Sequence, residues 1–219
     1  MTITEKLHHI KSTLPNGVTL VAVSKTKPVE DIMEAYHAGH RVFGENKIQD
    51  MTQKWEVMPK DIEWHMIGHV QRNKVKYMAE YVSLIHGVDS LRLLTEINKQ
   101  AKKHNRVIPC LFQMHIAQED TKFGLDSQEL AEIISSEDFQ QLENIKIVGL
   151  MGMATFTEDE NQIRQEFAHL HSIFEHFKSQ IPDLDILSMG MSGDYSIAIE
   201  EGSSMVRIGS SIFGARNYS

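Results

Sequence analysis

A lysine able to react with carbonyl compounds stands at the end of the most strand-like stretch of the chain. The run from Val18 to Val23 is apolar and β-branched, which predicts a fully buried strand, and Lys27 to Glu30 has the pattern of a helix start. Lys25 therefore lies between a buried strand and a turn, where lost hydration favours the neutral, nucleophilic amine. We expect it to form an imine with the carbonyl group of a ligand. The alternative is an ordinary lysine that extends to solvent from a strand end.

Two glycine–serine pairs near the other end of the chain could bind a phosphate. Ser192-Gly193 comes directly before a short helix that begins near Asp194, and Gly209-Ser210 follows the apolar strand pattern Met205 to Ile208. Glycine lets backbone amides approach an anion closely, and a serine hydroxyl donates a further hydrogen bond. Each pair alone is more typical of a simple turn. Their presence on consecutive loops favours a phosphate site.

The elements that must position these residues alternate between strand and helix eight times. The predicted strands are Val18 to Val23, His40 to Phe43, Ile62 to Ile67, Tyr81 to Ile85, Val107 to Met114, Ile145 to Leu150, Leu184 to Ser188 and Met205 to Ile208. This alternation indicates a parallel sheet, either closed into a barrel or open and doubly wound. Glycine-rich exits at nearly every strand end favour the barrel, and the glycine-rich nucleotide motifs of open sheets are absent. We therefore predict one α/β domain over residues 1–219, a (β/α)8 TIM barrel with an extra N-terminal helix.

In such a barrel strand eight pairs with strand one, so Lys25 and the glycine–serine loops become neighbours. One small ligand with both an aldehyde and a phosphate would match them, and pyridoxal phosphate is the obvious candidate. Arg207 in the last strand would point into the barrel, where a charge is costly to bury. It either faces the ligand or forms an ion pair with a carboxylate such as Glu45.

Longer segments of the chain resemble one protein family. They are VAVSKTKP at Val21 to Pro28, FGEN at Phe43 to Asn46, WHMIGHVQRNK at Trp64 to Lys74, GLMGMAT at Gly149 to Thr155, and Leu187 to Gly214. Together they resemble the pyridoxal-phosphate homeostasis protein family, single-domain relatives of the alanine racemase barrel. The resemblance implies a cytoplasmic, usually monomeric protein that binds pyridoxal phosphate without an established reaction. Such a protein would buffer or deliver the vitamer and keep amino-acid pools balanced, with apo-enzymes that require the cofactor as candidate recipients.

The resemblance also implies individual roles. Lys25 corresponds to the imine-forming lysine, Asn46 lies beside the cofactor, Ser192, Gly209 and Ser210 lie on the phosphate side, and Arg207 faces the pyridine nitrogen. The chain departs from the family at His115, where asparagine is usual, and at Gln118, which replaces a common Ser-Gly pattern. The role of the loop from His115 to Gly124 therefore stays open.

Arg207 bears on whether the protein is an enzyme. A guanidinium donates to a pyridine nitrogen but does not hold it protonated as a carboxylic acid would, so the ring is a weak electron sink. That suits a carrier, and it also suits a racemase that avoids side reactions. A racemase needs acid/base groups on both faces of its substrate, and Tyr195 and His69 are candidates that also have plain structural interpretations. We expect no second domain after Ser219 to complete such a site.

A third hypothesis is a class I aldolase, although the imine-forming lysine of those barrels commonly lies later in the fold. Composition excludes other classes. The formal net charge of −8 argues against a nucleic acid or an anionic membrane as the main partner. The only cysteine, Cys110, lies in an apolar run that indicates packing, with a catalytic thiol as the less favoured alternative. The spacing of His65 and His69 suits a helical zinc pair, but Gly68 and the strand pattern oppose a helix there. No apolar run is long enough to span a membrane, and no signal peptide begins the chain, so we expect a cytoplasmic protein.

Overall fold

Eight parallel strands close into a barrel in a computed structural model that describes residues 1–118 and 123–214. Each strand pairs with the next one in the chain, and β1 (Thr19–Val23) pairs with β8 (Met205–Ile208) to complete the ring. In this last pairing Val21 lies opposite Arg207. The predicted (β/α)8 barrel with an extra N-terminal helix is confirmed, and the open sheet is excluded.

The bounds of the other elements follow the chain. The remaining strands are β2 (Val42–Glu45), β3 (Glu63–Met66), β4 (Leu84–Val88), β5 (Ile108–Gln113), β6 (Ile145–Met151) and β7 (Ile186–Met191). The α-helices are α1 (Ile3–Thr13), α2 (Val29–His37), α3 (Ile48–Val57), α4 (Leu91–Lys103), α5 (Ser127–Ser135), α6 (Glu137–Gln140), α7 (Glu160–Phe177), α8 (Tyr195–Glu200) and α9 (Ser210–Phe213). A 3₁₀ helix, Arg72–Tyr77, connects β3 to β4.

Several helix starts are determined by local capping. Asp126 accepts from the backbone of Glu129, whose side chain accepts in return from the backbone of Asp126, so the two residues form a capping box at the start of α5. Ser90 caps α4 by accepting from the backbone amide of Leu93. These caps satisfy amide groups that the first helical turn leaves without intrahelical partners.

Alternation along the strands separates the barrel interior from the layer that faces the helices. Val21, Leu84, Leu111 and Met205 form an apolar interior cluster. Two residues further along three of these strands, the interior becomes polar, with His86, Gln113 and Arg207 all buried, and Ser188 on β7 is a further buried polar residue, in contact with Arg207. The interior therefore changes from apolar to polar toward the ends of the strands, where ligands of parallel barrels bind.

Two strand predictions were wrong because a glycine was interpreted as a turn. The fourth strand was predicted to stop before Gly87, but β4 contains it, and a Cβ there would lie 2.6 Å from the carbonyl oxygen of Gly68. Close backbone contact within the sheet thus requires this glycine. Likewise β7 continues through Gly190, which has a φ of 95° and would place a Cβ 2.6 Å from Ala198. The corrected bounds of β4 bring His86 into the barrel interior.

Three further features limit the chemistry of the described residues. Cys110 is fully buried in the helix-facing core, and burial raises the pKa of its thiol, so it packs rather than reacts. No group of three or more histidine, cysteine or acidic side chains in residues 1–118 and 123–214 is arranged to hold a metal ion. Across the same residues, no helix combines the length and apolar character needed to cross a membrane.

Candidate functional site

The turn that carries Lys25 is held by a buried ion pair on the outer side of the barrel. Ser24, the residue before it, is completely buried; its hydroxyl donates to Glu45 Oε1 at 2.6 Å, and its carbonyl accepts from Lys54 Nζ at 2.9 Å. Lys54 Nζ also lies 2.6 Å from Glu45 Oε1. These bonds fix the backbone at the residue before Lys25, which is itself half-buried.

The chain reverses direction immediately after Lys25. Thr26 has a φ of 63°, a left-handed conformation that a β-branched residue seldom adopts. The amide of Lys27 donates to the carbonyl of Ser24 at 3.1 Å, and Lys27 Nζ donates to the carbonyl of Phe213 at 2.9 Å. The turn after β1 is thereby attached to α9, the helix that follows β8.

Glu45 therefore interacts with Ser24 and Lys54 at the turn that carries Lys25, and not with Arg207. Burial raises the pKa of its carboxyl, and the neighbouring charge and hydrogen bond of Lys54 only partly oppose that effect. The second oxygen, Oε2, is buried without a hydrogen-bond partner. The suggested ion pair between Glu45 and Arg207 is wrong, because the two side chains lie on opposite faces of the sheet.

Arg207 occupies the barrel interior with neutral partners. One terminal nitrogen donates to Ser188 Oγ at 2.6 Å, and the other donates to the carbonyl of Gly152 at 3.1 Å. Within residues 1–118 and 123–214, no carboxylate forms an ion pair with it. Burial lowers the pKa of the guanidinium to about 10, although the charge of Asp194 acts in the opposite direction. At neutral pH the group is still a buried cation.

The two glycine–serine pairs are in direct contact. Ser192 Oγ accepts from the amide of Gly209 at 3.2 Å, which leaves the hydroxyl hydrogen for another acceptor. A Cβ on Gly209 would lie 3.2 Å from Val23, so the loop after β8 packs closely on the end of β1. A Cβ on Gly193 would meet no atom within 4 Å, and Ser210 is exposed at the start of α9.

Asp194 stabilises the loop after β7 rather than the start of α8. It stands at the start of α8, but its side chain makes no cap hydrogen bond to that helix. Instead its carboxylate accepts from the amide of Met191 at 2.6 Å. This bond closes the loop from Met191 to Asp194 and so fixes Ser192 and Gly193.

The other predicted residues lie at the same end of the barrel or on its outside. Asn46 directly follows β2, and a Cβ on Gly68 would collide with its backbone. His69 lies 3.5 Å from a carboxylate oxygen of Asp89 and stacks on Phe123. The hydroxyl of Tyr195 lies 3.3 Å from Thr13 Oγ1 on α1. Neither acid/base candidate of the racemase hypothesis is thus brought to Arg207.

The loop that departs from the family pattern is only partly described, because residues 119–122 lie outside the described part of the chain. Glu166 on α7 anchors its beginning. This buried carboxylate accepts from the amide of Gln118 at 3.3 Å and from the amide and hydroxyl of Thr155 at 2.6 and 2.7 Å. It connects the loop after β5 to the loop after β6.

Sequence reasoning missed several residues of this arrangement. Lys54 has no local motif, since its partners Glu45 and Ser24 are on other elements. Ser188 and Gly152 were passed over because a strand serine and a glycine carbonyl carry no signal of their own. Strand alternation was the one usable signal for Ser188. It places Ser188 and Gly190, two residues apart on β7, on the same interior face.

Comparison with known proteins gives concordant results. Residues 2–217 match the family described as "Alanine racemase, N-terminal domain". The chain is 40% identical over 209 residues to the pyridoxal phosphate homeostasis protein of Pasteurella multocida, covering 93% of this chain and 89% of that protein.

Solved structures agree with this result. PipY of Synechococcus elongatus, solved without pyridoxal phosphate, is 34% identical with a TM-score of 0.91, covering 97% of this chain and 100% of that chain. The same protein with pyridoxal phosphate bound is 33% identical with a TM-score of 0.89 and the same coverage. Alanine racemase of Clostridium difficile is 15% identical with a TM-score of 0.79, covering 100% of this chain and 57% of that chain, so it shows the shared fold alone. The chain therefore belongs to the pyridoxal phosphate homeostasis protein family, whose barrel is that of the alanine racemase N-terminal domain.

Proposed function

We propose that this protein binds pyridoxal 5'-phosphate and acts in its homeostasis by buffering the vitamer or delivering it to apo-enzymes that require it. A relative that is 40% identical is named a pyridoxal phosphate homeostasis protein, and PipY has been solved with pyridoxal phosphate bound. As the resemblance implies, residues 1–219 would act as one cofactor-binding domain, as a monomer and in the cytoplasm.

The observation that carries the proposal is the buried guanidinium of Arg207. A buried cation without a carboxylate partner is costly, and two of its five N–H groups are donated within the described residues, both to neutral acceptors. Pyridoxal phosphate supplies an aldehyde, a phosphate dianion and a pyridine nitrogen that accepts a hydrogen bond. A neutral ring nitrogen suits a donor that keeps its own proton.

The other residues suit the remaining two groups of that molecule. Lys25 provides an amine on a turn that is fixed at Ser24, and Asn46 follows the neighbouring strand. The amides around Gly193 and Gly209 and the hydroxyls of Ser192 and Ser210 are the proposed phosphate ligands. Contact between these two loops is a precondition for a shared phosphate site, and the bond from Gly209 to Ser192 meets it.

Binding is favoured over catalysis because, in residues 1–118 and 123–214, neither acid/base candidate of the racemase hypothesis contacts these residues. Tyr195 is directed to Thr13, and His69 lies beside Asp89 and Phe123. Arg207 also opposes carbanion chemistry, because it does not transfer a proton to the ring nitrogen at neutral pH. We therefore propose that the residues retain the vitamer without converting a substrate.

Borohydride reduction tests the attachment. The purified protein is loaded with pyridoxal phosphate, reduced and digested, and the modified lysine is identified by mass spectrometry. We expect the pyridoxyl group on Lys25, and loss of the label in Lys25→Ala. Lys27→Ala is the matched control, because Lys27 lies on the same turn. Recovery of unmodified Lys25 peptide from the loaded protein would refute the proposal.

Transfer to an apo-enzyme tests the homeostatic role. The loaded protein is mixed with an apo-enzyme that requires pyridoxal phosphate, while a separate trapping protein removes the free vitamer. We expect activity to appear faster than it does from an equal amount of free vitamer under the same trap. Equal rates from both sources would leave simple buffering as the role.

A further inference from the structure

Buried hydrogen bonds run from Arg207 across the barrel interior toward its other end. Arg207 donates to Ser188 Oγ at 2.6 Å, and the same oxygen lies 3.0 Å from His86 Nδ1. His86 Nε2 lies 3.1 Å from His65 Nδ1. Each of the four side chains is at least nine-tenths buried. The chain thus joins β8 to β7, β4 and β3 through the polar layer of the interior.

The donor and acceptor groups of these four side chains determine the direction of the hydrogen bonds between them. Arginine only donates, so Ser188 Oγ accepts from it and has its own hydrogen to donate. Within the described residues, His86 Nδ1 is the acceptor that can receive that hydrogen, which places the imidazole proton of His86 on Nε2. His86 then donates to His65 Nδ1, so His65 is also protonated on Nε2. With this direction, each hydrogen bond from Arg207 to His65 joins one donor to one acceptor.

Both imidazoles are neutral in the folded protein, as this direction requires. Burial, with a smaller effect from the charge of His40, lowers the pKa of His65 to about 3. Burial also holds the pKa of His86 well below its usual value, and the charges of His65 and Arg207 add to that effect. A neutral acceptor beyond Ser188 leaves the positive charge on Arg207.

The far end of the chain reaches the opposite mouth of the barrel. His65 lines a cavity of about 720 Å³ at the starts of the strands, together with Thr19, Glu63 and Ser83. Within the described residues, the Nε2 atom of His65 has no hydrogen-bond partner, but it is not completely buried. The chain therefore ends at a position that solvent can reach.

We propose that His86, acting through Ser188, is a positioning residue that orients the Arg207 guanidinium toward the ring-nitrogen end of the ligand. His65 extends this support to the other mouth of the barrel. The inference rests on the proposed function, because the ligand of Arg207 is there taken to be pyridoxal phosphate. It adds a role for interior residues that do not contact the vitamer.

The test compares two substitutions of His86 with one of another buried histidine. His86→Leu removes the acceptor of the Ser188 hydroxyl, whereas His86→Asn retains an oxygen near the position of Nδ1. His40→Leu is the matched control, because His40 is 5% exposed but contacts Phe43 and the carbonyl of Val42 outside this chain. Affinity for pyridoxal phosphate and the pH midpoint of its visible absorbance are measured for each variant.

We expect His86→Leu to weaken binding roughly tenfold and to shift the absorbance midpoint, since Ser188 would no longer hold Arg207 in one orientation. His86→Asn should recover most of the affinity, and His65→Leu should show a smaller loss in the same direction. His40→Leu should leave both quantities at wild-type values even if it unfolds more easily. A His86→Leu protein with wild-type affinity and midpoint, or a His40→Leu protein with an equal shift, overturns the inference.

A measurement without the vitamer separates this inference from the proposed function. Nitrogen-15 NMR of labelled histidine reports which imidazole nitrogen carries the proton. We expect Nε2–H tautomers for His65 and His86 at neutral pH, and a changed His65 signal in His86→Asn. Protonated Nδ1 on either residue overturns the inference. A wild-type protein that shows these tautomers but does not bind pyridoxal phosphate refutes the proposed function instead.

Discussion

Two cations are buried beside the candidate site, and they are compensated in different ways. Lys54 is 9% exposed and meets the carboxylate of Glu45 at 2.6 Å. Arg207 is 4% exposed and meets a serine hydroxyl and a backbone carbonyl. The first cation has its countercharge within the protein, between the barrel and α3. The second has neutral partners, inside the barrel and facing the strand ends.

The difference indicates that Lys54 stabilises the fold, whereas Arg207 is suited to bind the ligand. Breaking a buried ion pair leaves one charge without compensation, so Lys54 and Glu45 are expected to matter most for folding. A buried cation with neutral partners already bears a desolvation cost, which a ligand can offset. Arg207 is therefore expected to matter most for binding.

The largest effect is expected from Lys54→Met. It leaves the buried Glu45 carboxylate without its cation, and the typical loss for such a change is about 3–5 kcal/mol of unfolding free energy. Urea denaturation at pH 7 without cofactor measures it. The control is Lys146→Met, which breaks the exposed pair with Asp183 at 2.9 Å and should cost less than about 1 kcal/mol. Equal losses in the two variants would contradict the structural role of Lys54.

A smaller loss of stability is expected from Arg207→Met. No buried carboxylate is left without a partner, so the cofactor-free protein should lose less than about half as much unfolding free energy as Lys54→Met. Affinity for pyridoxal phosphate should nevertheless fall at least roughly tenfold. Denaturation and a binding titration on the same preparation check both statements. A variant that loses stability but not affinity would reverse the comparison.

The two regions should also respond to acid with opposite signs. In the barrel interior, the pKa of His65 falls to about 3, and that of His86 is held well below its usual value, in each case chiefly through burial. Below about pH 6.5 the unfolded chain therefore binds more protons at these sites, and stability is lost as the pH falls. The pKa of the Glu45 carboxyl is raised by burial, so its contribution to the stability of the fold increases as the pH falls through its pKa in the folded protein.

His86→Asn isolates one of these histidines. We expect it to reduce the slope of unfolding free energy against pH by about 1.4 kcal/mol per unit between pH 6 and 4.5. Urea denaturation at several pH values gives the slope. An unchanged slope in His86→Asn would mean that His86 is charged in the fold.

The smallest effect concerns backbone strain in the turn after β1. Thr26 adopts a φ of 63°, which costs a β-branched residue on the order of 1 kcal/mol. Thr26→Asn should therefore raise the unfolding free energy by up to about 1 kcal/mol, because asparagine tolerates this conformation better. The converse change, Asn105→Thr at a φ of 51°, should lower it by a similar amount. A loss of stability in Thr26→Asn would show that the Thr26 side chain stabilises the turn.

Local patterns gave much of the fold correctly. The position of Lys25 after β1 follows from a continuous apolar run, and the start of α5 follows from Asp126 and Glu129. Both depend on residues close together in sequence. The last helix, Ser210–Phe213, was missed because four residues are too few to show a period.

What could not be predicted depends on contacts between distant elements. Gly87 was taken for a turn because the backbone of Gly68 that approaches it belongs to another strand. The register of strand pairing alone excludes the suggested ion pair between Glu45 and Arg207. Val23 lies opposite Gly44, which places Glu45 on the outer face, whereas Arg207 shares the inner face of Val21. Strand register was the missing information, and the sequence does not contain it directly.

The pairing of β1 with β8 has a consequence for the synthesis of the protein. It joins segments that are separated by nearly the whole length of the chain, and such long-range closure is slow and late in folding. Lys25 leaves the ribosome well before Arg207 and the loop at Gly209 are translated. A nascent chain should therefore be unable to capture the vitamer until β8 and the loop after it have been translated.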